Sequence, residues 1–386
     1  MSSVARKIKT ASRVLKFKNE YKKAGAGTKI DPNAVFFISD VSDELSGNLR
    51  CVYDGMGGSY KKQVYCKSKH LHPQTDEDIR AIAEGLATCG HVFLEDVLDF
   101  TEFIDPAPEQ EIIQLWHACG AYKKFGFARP QGGAPVRVSK GHRKYTGAIV
   151  SSEEIRGCYA EAFDIPVEKI QATGIPRTDM FFQDACREEA AGRVLEKYPQ
   201  ITGRKKILFA PTYRGTRIAD ASYDFDMLDP EAFLAELGDE YTLMFKWHPA
   251  MAGNISKGAD YPYRKYLDGV SCIDVSGEDI QDLMLVCDLM ITDYSSVIFE
   301  YLLTDKPIIY YVYDCGKYAH DRGMFYPFEE YVYGETAQNQ KELVEAVRRG
   351  DLMDARRQKF RQKFMAACDG HATQRVCELY LKEQSR

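Results

Sequence analysis

The 386-residue chain has no apolar run that approaches the ~20 residues a membrane-crossing helix needs. Its first residues lack the apolar core of a secretory signal. Its eleven cysteines are scattered, with no C-x-x-C pair and no regular spacing. That pattern points away from a disulfide framework or a structural zinc site, and toward reduced thiols in a cytoplasm. Internal repeats and low-complexity segments are missing too. Tryptophan occurs twice and histidine eight times, so each instance can be weighed singly. What remains is an ordinary soluble composition, 45% hydrophobic and 28% charged, on a chain long enough for two domains.

Acidic residues are scarce in one place. Residues 1–29 carry nine Lys/Arg against Glu20 alone, so this stretch is +8 and the rest of the chain, from a total of −6, is −14. Val4, Ile8, Ala11 and Leu15 recur at helical spacing within it, with Val14 and Phe17 alongside. A basic amphipathic helix of this kind suits an anionic membrane surface; the plainer reading is a leading helix packed on the body. Nucleic acid is not expected as a partner, because the acidic body offers no broad basic footprint.

Along the chain, short apolar strands alternate with helices, which predicts parallel sheets of doubly wound type. Strands are expected at 35–38, 60–66, 91–94, 112–116 and 148–150, with helices at 43–56, 76–86 (Thr75 as cap) and 152–163. A boundary falls near 180–200. Strands then resume at 205–210, 241–247, 270–273, 289–292 and 308–312, with helices at 230–237, 280–286, 297–303 and 340–349. One or two charged helices occupy the last 30 residues. Two Rossmann-like halves facing a central cleft best fit this pattern.

The stretch from Asp288 to Val312 reads as strand, polar turn, short helix and strand. Its Thr292-Asp293-Tyr294-Ser295-Ser296 turn lies at a strand's C-terminal end, where open α/β sheets bind ligands. Ser295 or Ser296 is the expected N-cap, and hydroxyls at a helix start suit a phosphate. Both tryptophans are followed by histidines at strand ends: Trp116-His117 and Lys246-Trp247-His248-Pro249. Such histidines are placed for proton transfer or for donation to a phosphate. Between them, Gly174-Ile175-Pro176-Arg177 and Ala210-Pro211-Thr212-Tyr213-Arg214 each put an Arg in a punctuated loop, as a phosphate contact or simply a turn.

In order, LWHACGAYKKFGF (115–127), GIPRTD (174–179), ILFAPTYRG (207–215), KWHP (246–249) and DLMITDYSSVIFEYLLTDKPIIYY (288–311) resemble the CDP-glycerol glycerophosphotransferase family, with weaker matches at DRG (321–323) and DGHATQRV (369–376). The resemblance spans roughly residues 30–380. It implies a GT-B fold with a C-terminal helix crossing back onto the first domain. The implied division is 1–29 membrane-associating, 30–185 acceptor domain, 186–350 CDP-donor domain and 351–386 returning helices. It implies His117 as the base on the acceptor hydroxyl, with Lys123, Lys124 and Arg177 on the acceptor side. It places His248, Thr212, Arg214, Lys246, Asp293, Ser295, Ser296 and Arg322 around the donor diphosphate. No metal or cofactor is expected; the partners implied are a CDP-polyol and a polyprenol-diphosphate-linked saccharide at the inner membrane face. The product would be a wall teichoic acid or related polymer. The resemblance makes CDP-glycerol the first expectation for the donor and CDP-ribitol the alternative, because Trp-His-Ala-Cys-Gly stands where many members have Trp-His-Gly-Thr-Pro. A GT-B glycosyltransferase or epimerase using a UDP-sugar shares the implied fold, and a non-catalytic nucleotide-binding scaffold is the reading from another class.

Overall fold

The computed structural model describes residues 3–130, 138–215, 220–314 and 323–381, with side chains from residue 10 onward. The chain forms two compact units, residues 1–179 with 364–386, and residues 180–363. Every strand pairing among the described residues is parallel.

The first unit holds a six-stranded sheet in the order β2-β1-β3-β4-β5-β6. Its strands are β1 (Asp31–Ser39), β2 (Lys61–Cys66), β3 (Cys89–Leu94), β4 (Glu111–Gln114), β5 (Gly147–Ile149) and β6 (Ile170–Gln171). Continuous apolar runs such as Val35-Phe36-Phe37-Ile38 are buried throughout, as a sheet covered on both faces requires. Helix α3 (Asp76–Thr88) starts where expected, because Thr75 and Asp78 complete a reciprocal capping box. Helix α2 (Gly47–Gly55) starts four residues later than its sequence suggested. The Asp43 carboxylate is drawn away to the Ser68 N–H (2.8 Å) and His72.

Helix α1 (Ser3–Gly25) packs on α3 within this unit. Phe17 is fully buried and stacks on Phe100 at 4.4 Å, whereas Ala11 and Leu15 are exposed, Leu15 by 62%. The side chains of Val4 and Ile8 lie outside the described residues.

The second unit holds the order β12-β11-β10-β7-β8-β9. These are β7 (Lys205–Phe209), β8 (Tyr241–Phe245), β9 (Cys272–Asp274), β10 (Leu289–Thr292), β11 (Ile308–Tyr311) and β12 (Glu335–Ala337). Read from β9, this is the 3-2-1-4-5-6 order of a nucleotide-binding sheet, with its switch point between β7 and β10. An aromatic cluster around Trp247, Phe245, Tyr263 and Tyr223 fills one side of the sheet. Between β5 and β6 in the first unit runs α4 (Arg156–Phe163). The second unit's helices are α5 (Asp184–Lys197), α6 (Pro230–Leu237), α7 (Pro249–Ser256), α8 (Ile280–Val286), α9 (Val297–Tyr301), α10 (Gln340–Arg349) and α11 (Asp354–Phe364). Helix α5 fills the stretch expected to be a boundary; α7, β6 and β12 are additions to the sequence reading.

The last helix, α12 (Ala372–Tyr380), belongs to the first unit. Asp179 accepts hydrogen bonds from the N–H groups of Ala372 (2.9 Å) and Thr373 (2.8 Å), capping it. Gly174 (φ +81°) lets the chain pass so close that a Cβ there would meet the Ala367 carbonyl at 2.1 Å. Two of the sequence motifs, GIPRTD and DGHATQRV, are thus one structural joint.

Candidate active site

In the first unit, chemistry gathers at the C-terminal ends of β3 and β4. Trp116 carries φ +56°, a left-handed conformation rare for a bulky residue and costing about 1–3 kcal/mol. Its N–H donates to Gln114 Oε1 (2.9 Å), and its carbonyl accepts from Asn48 Nδ2 (2.7 Å). Its ring is sandwiched between Phe125 (4.8 Å) and His117 (4.3 Å). This sharp turn carries His117 out of the sheet.

His117 Nδ1 lies 3.4 Å from Oδ2 of Asp96, the second residue beyond β3. That pairing favours Nδ1–H and leaves Nε2 with the lone pair a base needs. Crowding of the ring lowers its pKa below the ordinary histidine value, and Arg177 pushes the same way while Asp96 opposes. With 48% of the side chain still open to solvent, the ring stays reachable. Beside it, Glu95 accepts from the Asn48 N–H (2.8 Å) at the start of α2, and burial raises its pKa to about 7. Gly47 (φ +54°) makes room for this carboxylate, since a Cβ would sit 2.4 Å from Glu95 Oε1. The Arg177 N–H donates to Asn48 Oδ1 (3.0 Å), and its charge acts on both His117 and Glu95. The structure therefore joins His117 and Arg177 and adds Glu95, Asp96 and Asn48, which the sequence reading missed. The only signal was a Glu-Asp pair directly after a strand. Lys123 and Lys124 are half-buried in the loop that follows His117.

In the second unit, the expected residues sit past the C-terminal ends of β7, β8 and β10, neighbours in the sheet. His248 N-caps α7: its Nδ1 accepts from the Ala250 N–H at 3.1 Å. That bond fixes the opposite tautomer from His117, leaving Nε2–H as a donor on an exposed ring. Tyr213 packs against this ring at 4.7 Å.

Asp293, expected around the donor diphosphate, is engaged in holding its own loop and the Thr212 turn. Buried to 1% exposure, it accepts from the N–H groups of Thr212 (2.7 Å) and Tyr294 (2.7 Å) and from Arg214 Nη1 (2.8 Å). Arg214 also makes a two-pronged bond to Asp314, at 2.7 and 3.0 Å. Burial works against its charge, but the two carboxylates outweigh it and raise its pKa. Lys246 points its ammonium at the Ser276 (2.8 Å) and Glu278 (2.6 Å) carbonyls, and burial lowers its pKa. Both cations brace loops. The Thr212 hydroxyl is different: it is buried without a hydrogen-bond partner among the described residues. Ser295 Oγ accepts from the Val297 N–H at 3.4 Å, while Ser296 occupies the N-cap position of α9 without a side-chain capping bond. Arg322 lies outside the described residues. Among the described residues, no cluster of three or more metal-ligating side chains occurs.

Residues 21–382 match the family model of CDP-glycerol:poly(glycerophosphate) glycerophosphotransferases. A teichoic acid poly(ribitol-phosphate) polymerase of Bacillus spizizenii is 34% identical over 90% of this chain, which spans 56% of that protein. A teichoic acid ribitol-phosphate primase of the same organism is 31% identical over 94% of both chains. Its teichoic acid glycerol-phosphate primase is 29% identical over 76% of this chain and 74% of its own. The fold superposes on the wall teichoic acid polymerase TagF with a TM-score of 0.74 at 20% identity, covering 99% of this chain and 98% of that one.

Proposed function

The chain belongs to the CDP-glycerol:poly(glycerophosphate) glycerophosphotransferase family, and within it we propose that it moves a polyol phosphate from a CDP-polyol to an acceptor hydroxyl, releasing CMP. The observation that carries this is a pair of histidines at strand ends in contrasting settings, His117 with Nδ1 3.4 Å from the Asp96 carboxylate and His248 with Nδ1 accepting from the Ala250 N–H. Asp96 leaves His117 Nε2 as an acceptor; the Ala250 N–H leaves His248 Nε2–H as a donor. A base and an anion donor are the two parts this reaction needs.

His117 takes the acceptor proton as the hydroxyl oxygen bonds to the polyol-bearing phosphorus. The bond from that phosphorus to the bridging oxygen breaks, and CMP leaves with its electron pair. His248 Nε2–H meets the charge that grows on the departing phosphate, and the Thr212 and Ser295 hydroxyls are further donors. Base assistance is typically worth ~10²–10⁴-fold. Arg214 and Asp293 act indirectly, by holding the Thr212 turn.

Glycerol was the first expectation for the polyol. Ribitol is now favoured, because the ribitol-phosphate relatives reported above match 90–94% of this chain and the glycerol-phosphate primase 76%. The acceptor in this reading is a polyprenol-diphosphate-linked saccharide, reached from the inner membrane face as a peripheral protein. What supports it is the two-sided α1, buried through Phe17 and open at Ala11 and Leu15. No described helix is long and apolar enough to cross a membrane.

Incubation with CDP-ribitol, CDP-glycerol or a UDP-sugar and a lipid-linked acceptor tests the reading. CMP release and a mass gain of ribitol phosphate are expected. UDP release instead would establish a glycosyltransferase, and turnover from neither would leave the scaffold reading.

A further inference from the structure

The Asn48 side chain is completely buried, and no step of the proposed chemistry uses it. Its carboxamide makes two bonds of opposite sense to two distant segments. Nδ2 donates to the Trp116 carbonyl at 2.7 Å, 68 residues away in sequence. Oδ1 accepts from the Arg177 N–H at 3.0 Å, 129 residues away. The Asn48 backbone N–H is itself held by Glu95 at 2.8 Å, and Glu95 adjoins Asp96, the partner of His117. One planar group thus fixes the left-handed Trp116 turn, which aims His117, against the loop that carries Arg177.

We propose that Asn48 is a positioning residue that keeps the His117 turn and the Arg177 loop in fixed register, so that the base and the cation beside it act as one assembled unit. This rests on the polyol-phosphate transferase reading for its catalytic consequence, but the coupling of the two loops stands apart from it. Only a side chain with a donor and an acceptor on one short, rigid plane meets both partners. Ala supplies neither. Asp at neutral pH keeps the bond from Arg177 and turns a carboxylate oxygen against the Trp116 carbonyl; protonated, it regains a donor.

The test uses the full chain carrying Asn48→Ala or Asn48→Asp, with amide hydrogen exchange and steady-state kinetics read side by side. Exchange is expected to quicken in both 115–120 and 175–179 together, while β7 to β11 keep their protection. Turnover should fall ~10²-fold, the scale of an ångström-level misplacement of a base, with CDP-polyol affinity unchanged. The activity of Asn48→Asp relative to the unsubstituted protein should climb as pH falls, although protonation of a histidine base slows both. Quickened exchange in only one segment, or unaltered turnover in Asn48→Ala, would overturn the proposal. If the unsubstituted protein transfers nothing from any CDP-polyol, the functional reading fails and the exchange data alone decide the clamp. Should Asn48→Ala not fold, Asn48→Asp, nearly equal in volume, carries both measurements.

Discussion

At the scale of single residues, the first unit brings together two titrating groups, Glu95 and His117, whose environments push them in opposite directions. Glu95 is the sharper case. Its pKa rises to about 7 in the fold from a free value of 4.5, so between those limits the folded chain binds more protons than the unfolded one. Stability therefore falls as pH rises through this window and levels off above it, by at most about 3 kcal/mol. Glu95→Gln keeps an acceptor for the Asn48 N–H and removes the charge. Its melting temperature should change less between pH 5 and pH 8 than that of the unsubstituted protein, and be higher at pH 8. Parallel pH dependences in the two proteins would sink this. For His117 the sign is opposite: its lowered pKa keeps the base neutral below its usual range, and Asp96 limits that lowering. Asp96→Asn should push the acid limb of the pH–rate profile lower still and cut turnover by roughly 10–100-fold. An acid limb that stays put or moves up would remove Asp96 from this role.

At the scale of elements, local signals and distant ones parted company. Helices α6, α8 and α10 were legible to the residue, since Asp229, Asp279 and Asn339 cap them from the adjacent position. Strands β6 and β12, at two and three residues, carry too little pattern to stand out. Histidines after tryptophans marked strand ends correctly, because exposure after an apolar run is a local fact. What His117 and Arg214 bond to was not legible: Asp96 lies 21 positions upstream and Asp293 lies 79 positions downstream, brought in only by sheet order. Asp179 is a further instance, capping a helix 193 residues away. Asp179→Ala strips two N–H groups of α12 of their acceptor, one of them buried. The loss should be about 1–2 kcal/mol in denaturant unfolding, with quickened exchange confined to 372–380. An unchanged unfolding midpoint would show that α12 is held by its apolar face alone.

At the scale of the whole molecule, the parallel sheet of each unit followed from alternating strands and helices, but α1 did not behave as a detached arm. It spends one face on its own unit, through Phe17 against Phe100 and Lys16 paired with Asp76. Removing residues 1–25 would therefore uncover the Phe100 side of the first unit as well as any membrane-facing line, and would confound the two. A surface substitution separates them. Leu15 is 62% exposed, and Lys18 and Lys22 lie exposed on the same helix. Leu15→Glu leaves the Phe17 packing in place while adding a charge that an anionic interface repels. Its melting temperature should match that of the unsubstituted protein, and its activity on a soluble acceptor analogue should be retained. Co-sedimentation with vesicles rich in phosphatidylglycerol should drop, and so should activity on the lipid-linked acceptor, each more at low ionic strength than at high, where screening already weakens the basic face. If Leu15→Glu binds such vesicles as well as the unsubstituted protein does, the outward line of α1 is only a solvated helix face, and the basic segment owes its charge to something other than a membrane.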